Sequence, residues 1–419
     1  MARQVGFLTG LTMASTQAAW RHRIFATGGS LLMQVIGFSL AIALMGCASA
    51  RVPYTARQAD AAEIVGFENV RMPLDGDLTA FAAKGFPTNQ QSHRLKFLAI
   101  SGGGSGGAFT VGALKAWTLS GQRPSFDIVS GVSTGALIAP FAFLGPRYDD
   151  TLEHLYTSGV ASELVDRKFI ARGLLGESLL KQQPLRRMVE TYLNSIVLKE
   201  IAAEHRKGRN LIVLTTNLDT QRPILWDMGA IADSDNPGAL KLFQDVLIAS
   251  ASIPGIFPAV QIKARVDGRD IVEMHSDGGS SSQVLTLPEA VMTSPDLSGP
   301  RGLRGSDIYL LINNTLTPEF EMTTNMTIPV MARAYSILVK SQTRQSLLAV
   351  YEYACRSGIN FHVAAIDVAV PYNASDPFNQ QYMRTVYQIG YDRMMHNTLW
   401  ADRPVFVDRT QMDLVAVSN

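Results

Sequence analysis

Three short stretches of the chain carry residue types that can make and break ester bonds. Gly131-Val132-Ser133-Thr134-Gly135 is a G-x-S-x-G pentapeptide. In that pattern a tight strand-to-helix turn exposes the serine hydroxyl, and the glycines two residues either side relieve crowding at the bend. Ser133 is therefore a candidate nucleophile, with a helix N-cap as the plainer reading. His275-Ser276-Asp277-Gly278-Gly279 puts a carboxylate at the end of an apolar strand, before two glycines that let another backbone approach. Asp277 can take a proton from a neighbouring hydroxyl there, or simply close an Asx-turn or calcium-type loop. Ser101 to Gly107 reads SGGGSGG. Its consecutive glycines can turn their N–H groups toward one point, ahead of the positive end of a helix dipole, where an anion or developing oxyanion is stabilised.

The glycine loop alone is ambiguous, because Gly102, Gly104 and Gly107 also satisfy the G-x-G-x-x-G dinucleotide fingerprint. That fingerprint needs an acidic residue at the end of the second strand to hold a ribose hydroxyl. Asp127 has the spacing but begins its strand. A structural glycine turn is the remaining alternative. A serine also needs a base, and the seven histidines are His22, His93, His154, His205, His275, His362 and His396. Only His275 and His362 lie in or beside strands, and each reads better as a hydrogen-bonded structural residue. A poorly solvated carboxylate can serve instead, since desolvation raises its pKa toward a useful value.

These residues need strands to aim them and helices to cover the strands. Short apolar runs predict strands at 95–101, 127–130, 210–216, 224–227, 271–274, 308–312 and 360–365. Helical spacing covers 108–119, 134–144, 184–194, 238–250, 328–355 and 379–398. Strands alternating with longer helical segments predict an α/β fold with a central, mostly parallel sheet flanked by helices. Phe141, Phe143 and the side chains of Ile253 to Phe257 are candidates for receiving an acyl chain or for core packing. Arg167, Lys168, Arg172, Lys181, Arg186 and Arg187 lie among acidic residues and read as a solvated helical face.

The N-terminal region has another texture. Arg21, His22 and Arg23 precede a segment from Ile24 to Met45 with no charged residue, ending Leu44-Met45-Gly46-Cys47. This resembles a bacterial lipobox, which implies diacylation of Cys47 and its exposure as the mature N-terminus; Met13 is a second candidate start of translation, and an uncleaved transmembrane anchor is the alternative. The expected organisation is a signal peptide at 1–46, a linker at 47–92 and a hydrolase domain at 93–419 with a helical C-terminal part. The 419 residues carry a net charge of +1 and are 47% hydrophobic. That balance excludes a disordered polyelectrolyte and gives no general footprint for nucleic acid. Two cysteines, Cys47 and Cys355, make neither a disulfide framework nor a four-ligand zinc site.

Taken in order, a glycine-rich loop, G-x-S-x-G about 30 residues on and a much later Asp-Gly-Gly resemble the patatin-like phospholipases. The likeness is strongest in FLAISGGGSGGAFTVGALKAW and FDIVSGVSTGALIAPFAFLG within 97–145, in the manner of a bacterial lipoprotein-type branch. It is looser through TTNLDTQRPILWDMG, ASASIPGIFPAV and HSDGG. The resemblance implies a serine hydrolase of lipid esters with Ser133 as nucleophile and Asp277 as base. It implies oxyanion donors among Gly102, Gly103 and Gly104, with Gly107, Gly131, Gly135, Gly278 and Gly279 as motif glycines, and neither metal nor cofactor. The implied partners are a phospholipid or other acyl-ester lipid and, through the Cys47 anchor, an outer or periplasmic membrane face. An esterase or transacylase on other esters and a silent lipid-binding lipoprotein are the alternatives. Many family members carry Lys or Arg where this chain has Gly106, so Gly106→Lys is expected to be tolerated. Gly103→Ala and Gly104→Ala are expected to slow turnover with little change in stability.

Overall fold

Four of the apolar runs are buried on both faces and sit side by side as parallel strands, as runs without polar alternation must. In the computed structural model, residues 51–76, 94–164, 182–287, 292, 303–320, 322–372 and 376–406 are described. The chain divides into two units, 1–53 and 54–419. The proposed signal segment and Cys47 lie outside the described residues, as do Arg167, Lys168, Arg172 and Lys181.

The second unit opens with α1 (Ala56–Ala61), β1 (Glu63–Ile64) and β2 (Arg71–Pro73), then β3 (Lys96–Ile100), α2 (Gly107–Leu119), β4 (Ile128–Val132) and α3 (Thr134–Leu144). It continues through α4 (Asp149–Thr157), α5 (Gln182–Tyr192), α6 (Ser195–His205), β5 (Asn210–Asn217), β6 (Arg222–Asp227), α7 (Met228–Ala232) and α8 (Ala239–Ser250). After β7 (Val260–Val266), β8 (Arg269–Asp277) and β9 (Asp307–Thr315) come the long α9 (Thr327–Ser357), β10 (Asn360–Ile366) and α10 (Gln380–Met395). Strands β5, β4, β3, β9 and β10 are neighbours in that order and all parallel. Antiparallel strands extend the sheet on the β5 side, where β6, β8 and β7 pair.

Side chains alternate between two apolar clusters. Leu98, Val129 and Val213 join one, beneath α2, α3 and α8. Phe97, Ile128 and Leu214 join the other, covered by Leu347, Val350 and Ala354 of α9. This is the helix-flanked sheet the sequence predicts. Two details differ from expectation. Part of the expected 47–92 linker is sheet, because β1 pairs with β7 and β2 with β6. Strand β7 was not anticipated, although its VQIKARV run alternates buried and exposed side chains at every residue, the signature of a strand with one wet face.

Candidate active site

The register of one strand brings the two candidate residues together. Val132, the last residue of β4, is paired with Leu214 of β5, and Asp277, the last residue of β8, is paired with the next residue, Thr215. Because β6 occupies the other edge of β5 along 212–217, β4 and β8 meet end to end on the same edge. Ser133 leaves β4 at that junction. Its Oγ donates to Asp277 Oδ2 at 2.6 Å.

The local backbone is built for this. Ser133 has φ 56 and ψ −123, a conformation that side-chain-bearing residues avoid and that marks functional bends. Chain on both sides must approach closely. A Cβ on Gly131 would stand 2.4 Å from the Gly135 carbonyl oxygen, and one on Gly135 would stand 2.3 Å from that of Ile100. Ser133 occupies the N-cap position of α3 but makes no side-chain cap bond, so the plain N-cap reading fails. Its own N–H donates to Ser250 Oγ at 3.1 Å, which in turn donates to the Leu214 carbonyl at 2.6 Å.

Asp277 realises both readings of its motif at once. Oδ1 accepts the Gly279 N–H at 2.7 Å, closing an Asx-type turn, while Oδ2 holds Ser133. Burial pushes its carboxyl up to about 7, although the bonds from Ser133 and Gly279 both pull it down. A carboxylate with that affinity for a proton is a competent base near neutral pH.

The glycine loop follows β3 and turns into α2 through a single 3₁₀ turn, Gly104–Gly106. Gly103 and Gly104 have φ 148 and 54. Gly102, expected among the donors, instead spends its N–H on the Gln283 carbonyl at 2.9 Å. The donor set therefore narrows to Gly103 and Gly104. The backbone geometry opposes two of the expected substitution outcomes. A Cβ on Gly106 would lie 2.0 Å from the Asn313 carbonyl oxygen, and one on Gly103 would lie 2.4 Å from the same atom. Neither is a silent replacement, because the obstacle is backbone. Gly104 has open space around that position. Gly107 backs onto Thr134, and Gly278 onto the Leu214 carbonyl.

Several positioning residues were not singled out from the sequence. Asn313 accepts from Thr110 Oγ1 at 2.6 Å and donates to the Ser101 carbonyl at 2.8 Å, locking β9 to the glycine loop. Gln283 bridges that loop to the Asp277 turn through its carbonyl and through Nε2, which donates to Gly279 at 2.8 Å. All but the Gln283–Gly279 bond join residues far apart in sequence, so only a buried amide at a strand end, as with Asn313, hinted at them.

Placement also bears on Asp127 and on the two histidines near strands. Asp127 accepts the Lys96 N–H at 2.8 Å where β3 and β4 begin, at the opposite end of the strands from the glycine loop, so it cannot serve a dinucleotide there. His275 is fully buried, 3.0 Å from Thr215 Oγ1 through Nδ1 and 3.0 Å from Glu273 Oε2 through Nε2. His362 stacks on Tyr309 with ring centroids 4.5 Å apart. Both are structural residues, and both ring nitrogens of His275 are occupied away from Ser133.

A pocket of ≈ 730 Å³, counted out to its mouth, opens at Ser133 and Gly104. Phe141, Leu185, Val189, Ile253, Phe257 and Met383 are among its walls. Phe143, also considered for that role, is instead buried beneath the Arg209 guanidinium, 4.3 Å from its ring centroid. Near the mouth Thr134 Oγ1 and Tyr156 Oη are hydrogen-bonded at 2.7 Å, one of few polar features in an apolar lining.

Residues 98–288, which hold all three motifs, match the family described as patatin-like phospholipase. The chain is 37% identical over 90 residues to a cUMP-AMP-activated phospholipase of Escherichia coli, covering 21% of this chain and 28% of that one. It is 28% identical over 145 residues to the uncharacterized protein R571 of Acanthamoeba polyphaga mimivirus, covering 32% and 46% respectively. The chain thus spans less than half the length of these relatives. Among solved structures it is similar to VipD from Legionella pneumophila, with TM-score 0.34 and 12% identity over 84% of this chain and 72% of that one.

Proposed function

We propose that this protein is a lipid acyl hydrolase that cleaves phospholipid or lysophospholipid esters through an acyl-serine. The observation that carries the reading is the 2.6 Å bond from Ser133 to a buried carboxylate, set at the mouth of an apolar pocket. Asp277 takes the proton as Ser133 Oγ attacks the ester carbonyl. The tetrahedral oxyanion rests on the Gly103 and Gly104 N–H groups, each such donor being worth about 3 kcal/mol of barrier. The leaving alcohol collects the proton from Asp277, and water then releases the acyl group by the same steps. The acyl chain lies in the apolar pocket, where leaving water stabilises it by about 0.8 kcal/mol per methylene.

Diacylated Cys47 would tether the enzyme to a bacterial envelope membrane, a reading carried by the lipobox-like run alone. The test is incubation with a total bacterial lipid extract and mass spectrometry of the products. Free fatty acid and the matching deacylated lipid are expected from wild type and not from Ser133→Ala; equal release by both would overturn the assignment. A fatty-acid probe should label the wild type but not Cys47→Ala, and the absence of any Cys47-dependent label would favour an uncleaved anchor.

A further inference from the structure

Fifteen large apolar side chains stand exposed among the described residues, and eight of them fall between Phe320 and Leu338. They occupy the approach to α9 and its first three turns. Phe320 is 95% exposed, Met322 86%, Leu338 67% and Met331 66%, and no described side chain from Met322 to Leu338 is buried. The same helix has an ordinary core face farther along, where Thr343, Leu347 and Val350 are 0–2% exposed. Its apolar beginning is therefore not core left uncovered by a short helix. Soluble proteins rarely show a continuous apolar surface without a use for it.

Where this surface sits says what it meets. The Tyr335 hydroxyl lies close to the Ser280 side chain and within reach of the Asp277 charge. Two turns on, Gln342 Nε2 donates to the Ser281 carbonyl. The apolar turns are thus fastened beside the Asp-Gly-Gly turn, at the catalytic end of the strands. Charge points the same way. From Phe320 to Tyr351 the chain has Arg333, Lys340 and Arg344 against a single carboxylate, Glu321. Lys340 binds the Glu319 carboxylate and Arg333 the Glu319 carbonyl, while Arg344 lies over the Phe406 ring at 4.5 Å. Long apolar side chains with a basic excess at their border are the composition of a helix lying in a lipid interface.

We propose that the apolar surface from Phe320 to Leu338 docks on a phospholipid bilayer and brings the mouth of the catalytic pocket to the lipid. This rests on the lipid-hydrolase reading for its purpose, but not for its test. Full-length protein carrying Ser133→Ala is mixed with vesicles of phosphatidylglycerol and phosphatidylethanolamine, and amide hydrogen exchange is followed. Exchange in residues 330–338 should slow by about fivefold or more, with no change in α6. Met331→Glu combined with Leu338→Glu, both at exposed positions, should remove that slowing. In the active protein the same pair should lower hydrolysis of vesicle lipid about tenfold, leaving a soluble short-chain nitrophenyl ester within about twofold.

Unchanged exchange at 330–338 in the presence of vesicles would overturn the proposal. So would protection without lipid that grows with protein concentration, since a second copy would then cover the surface. Slowed exchange with no lipid hydrolysis by wild type would instead count against the hydrolase reading and leave docking intact.

Discussion

Ser133 and Asp277 form one chemical unit, and that makes their removal non-additive. Ser133→Ala and Asp277→Asn should each abolish hydrolysis, and the double variant should be scarcely worse than either. His275→Asn, in a folded protein, should keep substantial activity, because its ring nitrogens face Thr215 and Glu273; a loss of about a thousandfold would restore a histidine-based triad. Proton affinity gives a second expectation. Asp277 must be ionised to act and its carboxyl is pushed up to about 7, so kcat/KM should rise with pH to a plateau above that value, and Asp277→Glu should displace the midpoint. Stability runs the opposite way. The folded protein keeps the Asp277 proton where the unfolded chain releases it, so the group's favourable contribution is complete below pH about 4 and is lost as pH rises to about 7. Asp277→Asn, which has nothing to ionise, should therefore gain stability over wild type between those values, by about 4 kcal/mol at full burial. Equal melting temperatures for the two proteins at pH 5 and pH 8 would contradict a buried, proton-holding Asp277.

Among the elements, the loop between β3 and α2 carries the sharpest contrast. Gly104→Ala meets open space but must hold φ 54, a strain of about 1–2 kcal/mol. It should fold and lose roughly one to three orders of magnitude in turnover, on the scale of a displaced oxyanion donor. Gly106→Lys and Gly103→Ala press against the Asn313 backbone and should lower the melting temperature as well as activity. Thermal melts beside kinetics separate the two classes. A stable, active Gly106→Lys protein would mean that β9 can give way at Asn313. Ser250 offers a related case, since its hydroxyl links the Ser133 N–H to β5; Ser250→Ala leaves that buried amide unpaired at a cost of about 1–3 kcal/mol.

At the scale of the whole molecule, walls from α3, α4, α5 and α10 and from the segment that follows α8 converge into one apolar pocket. Ala161 is small and lines it, so Ala161→Phe should fill part of the space. Its kcat/KM for long-chain esters should fall about tenfold or more, while butyrate esters change by only a few-fold, since each excluded methylene forfeits about 0.8 kcal/mol. An unshifted chain-length profile would place the acyl group elsewhere. The wall residues come from segments far apart in the chain, and their convergence decides substrate size in a way that no single motif does.

The sequence by itself determined the local turns. A serine between glycines after an apolar strand forms a tight bend, and an Asp-Gly-Gly places a carboxylate at a strand end, so Ser133 and Asp277 were legible from spacing. The parallel core was legible for the same reason, since LIVLTT and its fellows cannot face water on either side. Tertiary structure alone decided the pairings. Whether Ser133 met Asp277 depended on β4 and β8 ending opposite adjacent residues of β5. Which glycine N–H remained available depended on Gln283, and whether Gly106 could carry a side chain depended on Asn313. Those partners lie between about 140 and 210 residues away along the chain. Such contacts are chosen by the register of a sheet and the packing of its covers, neither of which is written in the residues near the motif.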